Sequence, residues 1–214
     1  MDTFQMKTCL SLLSSALLLA ISSSAFAASS VDLTVKGLIT PSACAPSLSN
    51  GGVIDHGKVA AKDLKLDTWT LLGNHRLEMA ITCDAPTLLA LEGIDNQGSA
   101  YDSSNAYGLG LVSGKKLGGY TLALDNPMAD GAVISVIKSR DNGLSWLEIF
   151  PGDVWPAADL ASFGDRSTGS WAPTPVQQVT AGLLVQTLIA PTAGMDLTTE
   201  VPIYGSATIE VKYL

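Results

Sequence analysis

Short runs in which apolar and polar residues alternate recur along this 214-residue chain and restrict it to extended structure. The last ten residues, "GSATIEVKYL" (205–214), show it most plainly: Ile209, Val211 and Tyr213 alternate with Thr208, Glu210 and Lys212. In a strand that spacing sends one set to a core and the other to water. "VDLTVKGLIT" (31–40) sets Val31, Leu33 and Val35 against Asp32, Thr34 and Lys36, and "RLEMAITC" (76–83) does the same with Leu77, Met79, Ile81 and Cys83. "PTLLALEGI", "AYGLGLVS", "LGGYTLAL", "AVISVIKS", "LSWLEIF" and "AGLLVQTLIA" add further strands, separated by Gly, Asn, Asp and Pro. No stretch keeps a helical period over three turns, and "AAKDLKL" (60–66) reads as a short helix or a loop. The pattern predicts an all-β sandwich in one domain.

The first segment reads as processing rather than fold. "MDTFQMK" precedes the apolar run "CLSLLSSALLLAISSS", which ends in "AFA". A charged start, a short apolar core and an A-x-A site make a secretory signal peptide over 1–27, whether Met1 or Met6 is the start. Residues 28–214 then form the single domain. No later apolar run reaches membrane-spanning length, so no transmembrane segment is expected after cleavage.

The net charge of −8 and the lack of a basic cluster make nucleic acid a poor partner. The chain has three cysteines. Cleavage removes Cys9 and leaves Cys44 and Cys83. In an oxidising compartment such a pair reads as a disulfide; two separate thiols or a zinc site are the alternatives. Zinc would need more ligands, and His56 and His75 are the two histidines.

Several motifs bear on chemistry. "SRDNGLSW" (139–146) fits S-x-D-x-G-x-S/T-W, the Asp-box of sialidase propellers, but a propeller needs several such blades. A tight hairpin explains it equally: Asn142 and Gly143 tolerate positive φ, Asp141 can accept bonds from backbone amides, and Trp146 can pack beneath the turn. "GLGLVSGKKLGG" (108–119) lacks the spacing of a phosphate loop and reads as a hairpin. "DHG" (55–57) is a lone Asp-His pair without a serine elbow. No catalytic, cofactor-binding or metal-binding residue is singled out, and the chain reads as a non-enzyme. Segments 95–105 and 151–175 read as long loops, which on a β-scaffold either bind something or pack over an end.

"KGLITPSACAPSL" (36–48), "ITCDAPT" (81–87) and the terminal "GSATIEVKYL" together resemble a chaperone–usher pilin subunit. The shared order is a first strand reaching a cysteine, a second-strand cysteine downstream, and a terminal strand with a near-final tyrosine. Within that group the chain is most similar to a pilin-like periplasmic family of unassigned role, whose proteobacterial members often lie near fimbrial genes. The resemblance implies an immunoglobulin-like sandwich lacking its last strand, with a groove beside the terminal strand. A periplasmic chaperone fills that groove first, and a neighbouring pilus subunit fills it after passage through an outer-membrane usher. It implies a structural fimbrial role in cell adhesion, in the periplasm and then the surface fimbrium of a Gram-negative bacterium. Ile209, Val211, Tyr213 and Leu214 would then form the subunit or chaperone interface, and Val31, Leu33 and Val35 of a donor extension (28–36) would fill a groove. The extension departs from the pilin pattern: it is short, and Asp32 and Thr34 stand at its intervening positions, so Val31–Val35 also fits as the start of the first strand. A self-complete periplasmic sandwich binding a partner or small ligand, and a carbohydrate-active enzyme, are the other readings.

Overall fold

The computed structural model describes residues 43–102 and 104–214. The expected signal peptide (1–27), the expected donor extension with Val31, Leu33 and Val35, and the strand expected at 31–40 lie outside the described residues.

Fifteen strands follow one another along the described chain: β1 (Cys44–Leu48), β2 (Thr70–Thr87), β3 (Leu89–Asp95), β4 (Tyr107–Gly108), β5 (Leu111–Val112), β6 (Lys115–Lys116), β7 (Gly118–Ala129), β8 (Ala132–Val133), β9 (Ser135–Ser139), β10 (Leu147–Ile149), β11 (Val154–Trp155), β12 (Leu160–Asp165), β13 (Ala172–Pro173), β14 (Val176–Ile189) and β15 (Ala207–Tyr213). One sheet runs β1-β2-β14-β7-β11, with β4 and β8 also on β7. The other runs β10-β9-β12-β3-β15, with β13 on β12. Every ladder among the described residues is antiparallel. The protein is an all-β, two-sheet sandwich.

The alternation explains the layering. In β2, Leu77, Met79, Ile81 and Cys83 are buried, while Glu78, Thr82 and Asp84 are exposed. They meet Leu122 and Leu124 of β7, Leu183 and Val185 of β14, and Leu89, Leu91 and Phe163 of the facing sheet in one apolar core. Each such side chain, fully buried, contributes about 1.5–3 kcal/mol. Cys44 and Cys83 are directly opposed in the β1–β2 ladder and form a disulfide. The bridge therefore fastens the edge strand β1 to the core strand β2.

Two hairpins take their turns from sequence chemistry. Ser113 and Gly114, both at positive φ, join β5 to β6. Asn142 and Gly143, also at positive φ, lie in the connection from β9 to β10. Residues 61–63 form a single 3-10 turn.

The stretch 151–175 is not a long loop. It contains β11, β12 and β13, and it crosses from one sheet to the other. Trp155 is fully buried, and its Nε1–H donates to the Asp159 carbonyl at 2.9 Å. β12 hides from pattern reading because Ala161, Ser162, Phe163 and Gly164 are all buried. Trp146 and Trp171 pack with Ala90, Ile137 and Leu160 in a second apolar cluster, separate from the main core. A strand covered on both faces has no reason to alternate.

Candidate functional site: an apolar groove between two sheet edges

β15 pairs with β3 alone, and β1 pairs with β2 alone, among the described residues. The two strands border the same side of the sandwich. Between them lies a groove of about 1520 Å³, bordered by Pro46–Leu48 of β1 and by Ala207 and Ile209 of β15. Its floor is the inner face of the larger sheet: Leu77 and Met79 from β2, Leu183 and Val185 from β14, Leu122 from β7. Residues 51–52 and 54–61 form one wall and 197–206 the other. Lys58 Nζ reaches Glu200 Oε1 between the walls at 3.3 Å, but both side chains are almost fully exposed, and such a pair contributes little.

The groove's chemistry is that of a core missing one layer of side chains. Small-molecule pockets usually enclose roughly 300–1,000 Å³ and carry a few convergent polar groups. This one is larger, with an aliphatic floor and polar side chains on its walls, and it is flanked by strand edges whose outward backbone groups have no ladder partner among the described residues. An extended peptide supplies both requirements at once, hydrogen bonds along its backbone and side chains on alternate positions.

The terminal-strand residues hold different positions. Ile209 lines the groove and packs on the core. Val211 packs on the core without lining the groove. Tyr213 is partly exposed, and its hydroxyl accepts the Cys44 N–H at 3.0 Å, which ties the start of β1 to the end of β15. The Leu214 N–H donates to the Leu88 carbonyl at 3.1 Å. The walls at 51–61 and 197–206 were not found in the sequence, because neither alternates.

The other motifs are accounted for by local bonding. Asp141 Oδ1 accepts the Ser145 N–H at 2.9 Å and the Ser139 hydroxyl at 2.7 Å, while Oδ2 accepts the Ser145 hydroxyl at 2.5 Å. These bonds, led by that of the Ser145 side chain, hold its carboxyl down at about 2. Trp146 Nε1–H donates to the Gly143 carbonyl at 3.1 Å, beneath the turn. The three arginines have separate partners: Arg76 meets Glu78 and Asp125, Arg140 meets Asp159, and Arg166 meets the Gly169 carbonyl. Asp55 caps its own turn by accepting the Gly57 N–H at 2.7 Å. His56 sits edge-on to His75 with ring centroids 4.9 Å apart, and burial, then His75, lowers its pKa.

Within 95–105, Asp95 accepts the N–H groups of Gln97 and Gly108, and Ser99 accepts that of Gly110. Asp102 accepts the Ser104 N–H and the Asn105 side-chain amide, and the latter bond leads in lowering its pKa. Among the described residues no group of three or more His, Cys, Asp or Glu side chains converges as a metal site would require.

Fold and groove define a class: an antiparallel β-sandwich with an apolar-floored groove between two sheet edges. Sequence comparison adds relatives. The family model described as a protein of unknown function, DUF1120, matches residues 33–110. The chain is similar to Protein GltF of Escherichia coli (strain K12), 28% identical over 253 aligned positions that cover 95% of this chain and 98% of that protein. It is also similar to the uncharacterized protein YhcF of the same strain, 26% identical over 228 positions covering 89% of this chain and 93% of that protein.

Proposed function

We propose that the protein is a structural fimbrial subunit that is assembled by accepting an extended strand in the groove beside β15. The supporting observation is the groove itself: an apolar floor between two sheet edges, with a volume above that of an ordinary small-ligand pocket. In this reading a periplasmic chaperone lends a strand first. An outer-membrane usher then exchanges it for a strand of a neighbouring subunit, and the fibre supports adhesion. The donor's Val31, Leu33 and Val35 supply three apolar side chains, each worth about 1.5–3 kcal/mol when fully buried. A bare groove would leave an aggregation-prone edge, which is why a chaperone belongs to the account.

The test is capture. Co-expressed with a fimbrial chaperone from the same genome, the chain should be purified as a 1:1 complex. Ile209→Asp, which puts a charge on the groove wall, should reduce recovery at least tenfold, while Phe150→Asp, at an exposed site away from the groove, should not. Absence of a complex, or equal capture of both variants, would overturn the proposal.

A further inference from the structure

The floor of the groove changes character along its length. β14 lays Leu183, Val185, Thr187 and Ile189 along it, and β7 lays Leu122 and Tyr120 beside them. In the β14–β7 ladder Val185 stands opposite Leu122, and Thr187 stands opposite Tyr120. One rung of an otherwise aliphatic floor therefore carries two hydroxyls. Beyond it the lining is apolar again, with Leu109, Leu117 and Ile189. The rung lies close to where β15 begins: a Cβ added to Gly205 would stand 2.6 Å from Tyr120 Cε1.

Neither hydroxyl has a hydrogen-bond partner among the described residues. Thr187 is only 3% exposed, yet its Oγ1 is not sealed in as the Tyr107 Oη is; it opens on the groove that Thr187 lines. Tyr120 stacks its ring on Tyr107 and makes no further bond. Burial, then the Asp95 charge, then Tyr107 push its phenol above the ordinary value, so it stays a donor. An apolar guest side chain laid over this rung would leave two hydroxyls dry and unpaired, which is costly. A guest hydroxyl donates one bond and accepts two, so a single one can satisfy both. We infer that the groove selects a strand with a serine or threonine at the inward position facing Thr187 and Tyr120, and with apolar side chains at the inward positions two residues to either side. The inference rests on the reading of the groove as a strand acceptor and adds the chemistry that the strand must carry. Thr187 and Tyr120 are then specificity-determining residues of the groove.

Peptide affinity tests this. The exported full chain, its disulfide intact, is refolded from urea in the presence of labelled, end-blocked peptides, and binding is read by fluorescence anisotropy. One peptide carries valine at every inward position, with lysine or glutamate between; in the other a central valine is replaced by serine. The serine peptide should bind the native chain roughly fivefold tighter or more, because only it pairs the two hydroxyls. In Thr187→Val with Tyr120→Phe the preference should reverse, and binding of the valine peptide shows that this variant is folded. Should it bind neither peptide, the single variants Thr187→Val and Tyr120→Phe decide: each should narrow the preference, and an unnarrowed preference overturns the inference. Equal binding of the two peptides by the native chain, a preference for valine, or a serine preference that survives in the double variant also overturns it and leaves the strand-accepting reading standing. Binding of neither peptide by the native chain sinks both.

Discussion

At the scale of single residues, one fully buried hydroxyl among the described residues lacks a partner. Tyr107 is fully buried, its ring stacks on Tyr120 with centroids 5.3 Å apart, and its Oη has no hydrogen bond among the described residues. The oxygen lies against Gly93, where an added Cβ would stand 1.8 Å from it. Gly93→Ala should therefore destabilise by about 1–3 kcal/mol, as overpacking does. Tyr107→Phe removes an unsatisfied polar atom and should be close to neutral, within about 1 kcal/mol. Combined, the two should recover part of the glycine loss but not all, because Cζ would still lie 3.0 Å from the new methyl. Urea melts of the three variants check this.

The same phenol sets a pH dependence. Burial, with the Asp95 charge adding to it, pushes Tyr107 up to about 12. An unfolded tyrosine titrates near 10. Above pH 10 the unfolded chain releases a proton that the native state keeps, so this contribution is full below pH 10 and is lost as pH rises toward about 12. Stability should fall across that window, and Tyr107→Phe should flatten part of the slope.

At the scale of elements, β1 depends on its bridge. It is a five-residue edge strand whose burial pattern leaves the three middle residues exposed, and Cys44–Cys83 fastens it to β2. The bridge spans a sequence separation of 39 residues. In the chain-entropy model, a loop of that size stabilises by about 4 kcal/mol. Replacing both cysteines by serine should cost about that much in a denaturant melt and should lower the yield of exported protein. A loss under about 1 kcal/mol would mean that β1 holds its place without the bridge.

The elements also show how far sequence reading reaches. β2 and β15 were legible because each has one face in the core and one in water, so Met79 and Glu78, or Ile209 and Glu210, differ in kind. The Asn142–Gly143 turn was legible because few residues tolerate positive φ. β12 was not, since burial on both faces removes the contrast that pattern reading needs. Nor was a further small cluster, where Leu109, Val112, Leu117 and Ile189 gather Met195, Leu197, Val201 and Ile203 from an irregular stretch. The strand pattern put Ile209 on the inward face of β15; its interface role was implied only by the resemblance to pilin subunits. The groove's floor and walls come from residues far apart in the chain, and only the folded arrangement brings Leu77, Leu183 and residues 197–206 to one place.

At the scale of the molecule, the central claim is that the open side of the sandwich accepts an extended strand along β15 from a chaperone or a neighbouring subunit. Amide hydrogen exchange across Ala207–Tyr213 of the exported full chain tests it most directly. β3 bonds one alternate set of these amides, and the other set points outward. The account predicts fast exchange at the outward set in the chain alone and slow exchange at both sets when a fimbrial chaperone is bound. Fast exchange of the outward set in the full chain, with and without a chaperone, would contradict it.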